Sequence, residues 1–531
     1  NANYWYLNRN PAGLDKNGKS VRQKMRLNQY GFNGSGPIPF LKFGEGGGIF
    51  DSGKDKRFFF INYEEFRQPQ SLSRTRKIIS PEAQTGTYQY FATIPVIAGV
   101  PTLPTGCATT STANQMLCSR NVFTIAANAG QLATIDPTVK AVYDKIRSAI
   151  SGQTLVPITN NPNVYDWNTL ATNKEKRTFL ALRFDANITK KHSLEAVINR
   201  QMFGGQKDLL NSREETFPGF PSFNQTSQRN SYSFAVRSTF GQNIVNEARL
   251  AIQEGGPTVF AGDSDPSVFN FMGGRSLGIF PTLTGTTVTG PTLVNGTTRS
   301  KNPVYDLTDS VTWVKGNHSI NFGGNYKLLR PYANNNNRYV PSVGFGLDST
   351  DPAFNLFLAT NCTVVPTPST CTMPGASSGQ LTDARNLYAA LVGRVLSYTT
   401  TAYLNTDTGV YAENGSSIRK AEQKSYGLYV QDSWRISSNL TVNYGIRWQP
   451  QTGFTALTNG NYTRLENYDQ VYGLSGLNNI FKPGTLTGTA PRVVKVEVGE
   501  KVYPDDLNNF APTLGVVWSP NFGDKGFLRT L

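Results

Sequence analysis

Hydrophobic and polar residues alternate with a period of two over long stretches of this chain, and the stretches come in pairs joined by short polar turns. In Ser231 to Phe240, Tyr232, Phe234, Val236 and Phe240 share one face, opposed by Ser231, Ser233, Ala235, Arg237 and Thr239. Tyr305, Leu307, Val311 and Trp313 oppose Asp306, Thr308, Ser310 and Thr312. After a turn, Ile320, Phe322 and Tyr326 oppose Ser319, Asn321, Asn325 and Lys327. A third pair sets Tyr426, Leu428, Val430 and Trp434 against Gly427, Tyr429, Gln431 and Arg435. It returns with Leu440, Val442, Tyr444, Ile446 and Trp448 against Thr441, Asn443, Gly445, Arg447 and Gln449. Runs of this kind predict β-strands, and the polar turns inside 185–194, 309–320 and 432–440 predict tight hairpins.

Strands are expected near 1–10, 22–36, 56–68, 178–188, 192–203, 229–240, 243–254, 302–314, 318–330, 422–436, 439–450 and 508–519, with one more starting near 525. The spans between hairpins, 69–177, 204–228, 255–301, 331–421 and 451–507, are polar and rich in Gly, Thr, Asn and Pro, and are expected to be loops on one side. Short turns on one side and long loops on the other are the signature of an outer-membrane barrel. Tyr426 and Trp434 share a face about 27 Å apart along the strand. Tilted by ~40°, that separation spans roughly 20 Å of height, near the ~25 Å apolar band with its aromatic girdles. The expected fold is all-β: a transmembrane antiparallel up-and-down β-barrel, in part. About 12–13 strands are expected of the roughly 22 found in plugged outer-membrane transporters. Trp313, Tyr326, Tyr426, Trp434, Tyr444, Trp448 and Trp518 are the girdle candidates. Within the first long loop, Asp136 followed by Pro137 reads as an N-cap and first helical position. Val139, Val142, Tyr143, Ile146 and Ile150 then form one apolar stripe of a short helix, expected to pack on its own loop.

Composition supports a sheet that is wet on one face. Of 531 residues, 38% are apolar but 11% are aromatic, fewer apolar residues than soluble domains carry. No run of 18 apolar residues predicts a helical span. The net charge of +15 comes from scattered Lys and Arg, expected in loops, lumen and rims facing lipid phosphates. No basic cluster interleaved with aromatics suggests nucleic acid. The chain opens on Asn1 without an initiator Met or leader, and Phe527 to Leu531 stops as though in mid-strand, so it reads as a fragment. An open sheet edge in hydrocarbon would leave backbone groups unsatisfied, which independently calls for further chain.

Candidate chemistry is sparse. Cys107/Cys118 and Cys362/Cys371 are close pairs in long loops and suggest two disulfides formed in an oxidising compartment. His192 and His318 fall at hairpin turns, too few for a triad or a His-rich metal centre. Gly44 to Gly48 lacks the Gly-Lys-Ser/Thr of a phosphate cradle. The neighbours Glu64/Glu65 and Asp505/Asp506 point to opposite faces of a strand and cannot share acid/base work. No cofactor is implied and no enzyme is expected. Arg183, Asp185, Arg237, Glu247 and Arg249 take inward positions, where they would contact a plug or line a substrate path.

Several segments resemble the Oar-like TonB-dependent receptors of the outer membrane: 26–38 (RLNQYGFNGSGPI), 56–67 (KRFFFINYEEFR), 313–324 (WVKGNHSINFGG), 426–434 (YGLYVQDSW) and 508–518 (NNFAPTLGVVW). They run through the chain in the family's order and cover its early and middle barrel, with residues 1–531 as part of one barrel domain and 69–177 and 331–421 as long extracellular loops. The resemblance implies a plug, often a carboxypeptidase-regulatory-like domain, and a TonB-type energy-coupling partner reached through an N-terminal part missing here. It also implies outer-membrane lipid and lipopolysaccharide as surroundings, and a bulky substrate whose identity the sequence does not give. Two alternatives stand beside it: an uncoupled structural or porin-like barrel, and a soluble secreted β-rich adhesin or carbohydrate-binding protein.

Overall fold

The structure, a computed structural model, describes residues 26–41, 50–97, 100–205, 207–220, 222–256, 258–262, 282–283, 286–290, 297–335, 342–358, 372–405, 408–413, 417–458, 462–466 and 492–519. Its main sheet is a meander of long antiparallel strands: β1 (Asn28–Pro37), β2 (Arg57–Ile79), β3 (Asn161–Asn187), β4 (His192–Gly204), β5 (Phe223–Phe240), β6 (Ile244–Gln253), β7 (Val304–Lys315), β8 (His318–Leu329), β9 (Ser417–Ser437), β10 (Leu440–Trp448) and β11 (Phe510–Trp518). Each pairs with the next, and among the described residues β1 and β11 do not pair with each other. The expected strands at 1–10 and near 525 lie outside the described residues, as do Cys362 and Cys371.

Cross-strand register shows why the alternation exists. Phe32 stands opposite Tyr63, Phe234 opposite Leu250, Leu250 opposite Leu307, Phe322 opposite Val430, and Val430 opposite Ile446. These residues form one continuous apolar belt that no described residue covers. Period-2 geometry sends every second side chain to the other face, which is polar. The belt carries polar exceptions in its short-turn half. Asp309 accepts from Asn246 Nδ2 at 2.6 Å, and Asp432 Oδ2 accepts from Tyr444 Oη at 2.9 Å and lies 2.6 Å from His318 Nδ1. Both histidines are the first residues of return strands rather than turn residues. His318 stacks on Trp434, and His192 meets Phe240 edge-on.

The loops begin later than the hydrophobic pattern suggests. Residues 69–79 and 161–177 are not loop but the outer halves of β2 and β3, paired in unbroken register from Arg57–Ala186 to Ile79–Val164. Residues 223–228 and 417–421 likewise belong to β5 and β9. Alternation ends where lipid ends, yet the backbone goes on pairing. Between β5 and β9 the short strands Thr258–Gly262, Thr298–Lys301 and Tyr332–Asn335 prolong the wall. Pro303 and Pro331 stand at the breaks, where a residue without an N–H interrupts a ladder.

Beyond the wall, the long loops fold together into a cap with a hydrophobic core of its own. It holds the strands Thr87–Thr93, Cys107–Thr109 and Gln115–Asn121 and the helices α1 (Pro81–Gln84), α2 (Val122–Asn128), α3 (Pro137–Ala149) and α4 (Ser378–Leu391). Asp136 caps α3, its Oδ1 accepting from Thr138 N at 2.9 Å and Val139 N at 3.1 Å. The whole predicted stripe, Val139 to Ile150, is buried. It does not pack on its own loop alone: its cluster includes Phe217, Val288, Leu387 and Leu391 from three other loops, besides Ile78 and Trp167 of its own. Helix α4 starts in a capping box of Ser377 and Gln380 and ends at Gly393 (φ +74°), where Asp136 N donates to Leu391 O at 2.8 Å. A Cβ at Gly393 would sit 3.1 Å from Asp136, so glycine lets the end of α4 meet the start of α3. Cys107 and Cys118 are directly opposite in the cap sheet and form a disulfide.

Candidate functional site

The polar face of β3 to β6 gathers six charged side chains into one ladder. Alternation puts Arg183 and Asp185 on the same face of β3, and register sets Asp185 opposite Glu195, Glu195 opposite Ala235, Ala235 opposite Arg249, and Arg237 opposite Glu247. The Arg183 guanidinium donates to both Asp185 oxygens at 2.8 and 2.9 Å and to Glu195 Oε2 at 2.8 Å. Arg249 Nη1 reaches Glu195 Oε1 at 3.1 Å and Ser233 Oγ at 3.0 Å, while its Nη2 reaches Glu247 Oε1 at 3.0 Å. Arg237 closes the ladder on Glu247 Oε2 at 2.7 Å.

All five expected inward residues are therefore brought together, and Glu195 is the link that the sequence reading missed. Its signal was present: Leu194, Ala196 and Ile198 alternate around it toward the apolar face. The ladder side chains remain partly exposed, so each pair is worth only about 0–1 kcal/mol. Such pairs stabilise little but hold donors and acceptors in fixed positions.

Nearer the long-loop end, the same face is lined mainly by amides and hydroxyls. Asn62, Asn199, Gln201, Ser231 and Gln253 line a hollow of about 300 Å³. It adjoins a second of about 220 Å³ lined by Arg177, Gln201, Phe203, Gln225, Ser227 and Arg229. The sequence reading did not single out either group, because isolated Arg and Gln on a polar strand face carry no motif.

The expected girdle residues all stand on the apolar face. Trp313, Trp434 and Trp518 lie toward the short turns, and Tyr326, Tyr426 and Trp448 toward the long loops. Tyr326 and Tyr426 rings lie 5.2 Å apart, and Trp448 stacks on Phe510 at 6.0 Å. Tyr444 sits between the two groups, its hydroxyl turned to Asp432.

The profile of the family described as "Outer membrane beta barrel domain" matches residues 1–530. The chain belongs to that family, and its place is the outer membrane of a Gram-negative cell. No curated protein matches the sequence. Among solved structures, the copper transporter OprC is similar at 6% identity and a TM-score of 0.27, with 89% of this chain and 41% of that chain covered. The siderophore receptor PiuA from Acinetobacter baumannii is similar at 9% identity and a TM-score of 0.26, with 76% and 46% covered. The ferric-catecholate import receptor Fiu from E. coli K12, in its open form, is similar at 8% identity and a TM-score of 0.25, with 84% and 55% covered. The chain thus spans about half the length of these structures.

Proposed function

We propose that the chain forms wall and mouth of a TonB-dependent receptor of the Oar-like type, which takes up a bulky substrate at the long-loop end and passes it through a plugged lumen. The observation that carries this reading is the width of the wall. A meander of eleven long strands whose first and last members stay apart supports a wide barrel, and barrels of that class need a plug to be selective. In this reading residues 1–531 are part of one barrel domain. The polar face is the lumen, and the ladder of Arg183, Asp185, Glu195, Arg237, Glu247 and Arg249 is the wall's side of the contact with plug or substrate. The short turns face the periplasm, where a TonB-type protein supplies the energy. The long loops, including those within 69–177 and 331–421, face the exterior among lipopolysaccharide. Six of the seven aromatic residues form the two interfacial girdles, and Tyr444 stands between them.

The test is binding of the intact protein, extracted in detergent, to the purified periplasmic domain of a TonB-type protein. Saturable binding is the expected result. Heat-dependent gel mobility with no such binding would replace the receptor with an uncoupled, porin-like barrel.

A further inference from the structure

The smaller hollow on the polar face differs from the ladder below it in one respect: one of its two arginines is unmatched. Arg183, Arg237 and Arg249 each meet a carboxylate. Arg177, at one side of the hollow, is held by Glu175 (Nε to Oε1, 2.7 Å) and lies over the rings of Phe66 and Phe203 at 5.5 and 5.2 Å. The Arg229 guanidinium has neither an ion pair nor a hydrogen bond among the described residues, although it lines the same hollow. Beside it Ser227 is 9% exposed, and its buried Oγ has no partner. A buried hydroxyl left unpaired is destabilising, and a guanidinium presents a fork of donors that suits an oxyanion.

Local structure fixes these groups. Gln201 stands opposite Arg229 and Phe203 opposite Ser227 on the paired strands β4 and β5. Gly256 (φ +57°) passes close to the Arg229 stem, where a Cβ would lie 3.1 Å from Cγ. The level is set by the other face of the wall. Gln228, Asn230, Lys176 and Arg200 are the outward neighbours here, whereas Tyr232, Phe234 and Val236 begin the apolar belt just below. The hollow therefore opens on the inner face immediately above the lipid band, at the mouth. At about 220 Å³ it is smaller than the ~300–1,000 Å³ of clefts that enclose a whole drug-sized ligand, so it suits one group of a larger molecule.

We propose that this hollow is a subsite for an oxyanion of the substrate, a carboxylate, sulfate or phosphate, seated on Arg229 and Ser227 with the amides of Gln201 and Gln225 beside it. The proposal rests on the reading of the polar face as a substrate path and adds to it the charge of what travels there.

The test is equilibrium binding of glucose 6-phosphate, glucuronate and glucose to the intact protein in detergent micelles. The two anions are expected to bind at least about tenfold more tightly than glucose, and Arg229→Gln to abolish that preference, as loss of a hydrogen bond to a charged group costs about 1.5–3 kcal/mol. Arg229→Lys, which keeps the charge but not the fork, is expected to retain part of it, and Ser227→Ala to weaken both anions a few-fold. Lys315→Gln, at the short-turn end, removes one positive charge and is expected to change nothing. Comparing glucuronate with glucose 6-phosphate shows which oxyanion the site prefers. Equal binding of charged and neutral sugars, or an undiminished preference in Arg229→Gln, overturns the subsite. If Arg229→Gln does not insert, an anion preference in Arg229→Lys equal to that of the unsubstituted protein overturns it as well. Binding in micelles needs no energy coupling. An intact anion preference in a protein that ignores the TonB-type domain overturns the receptor reading alone, and the reverse pattern overturns the subsite alone.

Discussion

Large apolar side chains are used in opposite ways by the wall and the cap. On the wall Phe234, Leu250, Leu307 and Leu428 are 40–55% exposed, while in the cap Tyr90, Phe357, Leu387 and Tyr388 are at most 2% exposed. The wall's residues come from adjacent strands in fixed register and need only the strand period to form a belt. The cap's residues come from segments hundreds of positions apart, and only the folded loops bring them together. The difference is the solvent each region expects: the wall presents its apolar face to lipid, whereas the cap must bury its apolar surface against itself to exclude water.

This contrast can be broken from either side. The largest effect is expected from Leu387→Ala in the cap core, at about 2–5 kcal/mol. Limited proteolysis should then cut the long loops while the heat-dependent gel shift of the wall persists. A wall that unfolds together with the cap would show that the two are one cooperative unit. Leu250→Arg, on the outward face, is expected to cost about 2–4 kcal/mol, measured by urea titration in detergent or vesicles. Ala251→Arg, one residue on and facing the polar side, should be near neutral, and equal costs would refute the assignment of faces.

Alkaline pH should separate the regions without mutation. Burial pushes the Tyr88 and Tyr143 phenols well above their usual range, with Asp383 adding to the effect on Tyr88. With the folded pKa above the unfolded value of about 10, the stabilisation is complete below pH 10. It falls as pH rises beyond that, by up to about 1.4 kcal/mol per unit for each tyrosine. Cap proteolysis should therefore accelerate above pH 10, and an unchanged rate up to pH 12 would count against the burial of these rings. The smallest effect is expected from Arg237→Gln in the ladder, about 0–1 kcal/mol, read in the same urea titration.

The wall was largely legible in the sequence because lipid imposes a strict period: the strands expected at 192–203, 302–314 and 318–330 lie within a residue or two of β4, β7 and β8. The outer halves of β2 and β3 were not legible. Ser71, Ser73, Thr75, Asn168 and Thr172 lie beyond the apolar belt, where neither face has to be greasy, so pairing continues without a pattern. Helix α3 could be read from its cap and stripe. Helix α4 could not, because Leu381, Ala384, Leu387, Tyr388, Ala389, Ala390 and Leu391 are buried around much of its circumference and leave little amphipathic contrast. Of the charge ladder, five members followed from alternation. The arginine of the upper hollow did not, since what sets it apart is a missing partner, and a sequence does not show which carboxylates fail to arrive.

The long hairpin of β2 and β3 has a mechanical consequence. A strand of 23 residues reaches roughly 75 Å at ~3.3 Å per residue, more than twice the ~30 Å thickness of hydrocarbon. Its tip carries the cap directly: Ser80 N donates to Asn163 O at 2.8 Å, Thr289 N donates to Lys77 O at 2.8 Å, and Lys77 N donates to the Thr289 hydroxyl at 2.9 Å. The cap is thus mounted on a mast rooted in the barrel, and Phe66 and Arg177 sit on that mast at the level of the anion-sized hollow. A sideways force on the cap therefore bends this mast. Its ladder is unbroken from Ile79 to Arg57, so the hairpin yields as one piece between cap and barrel wall.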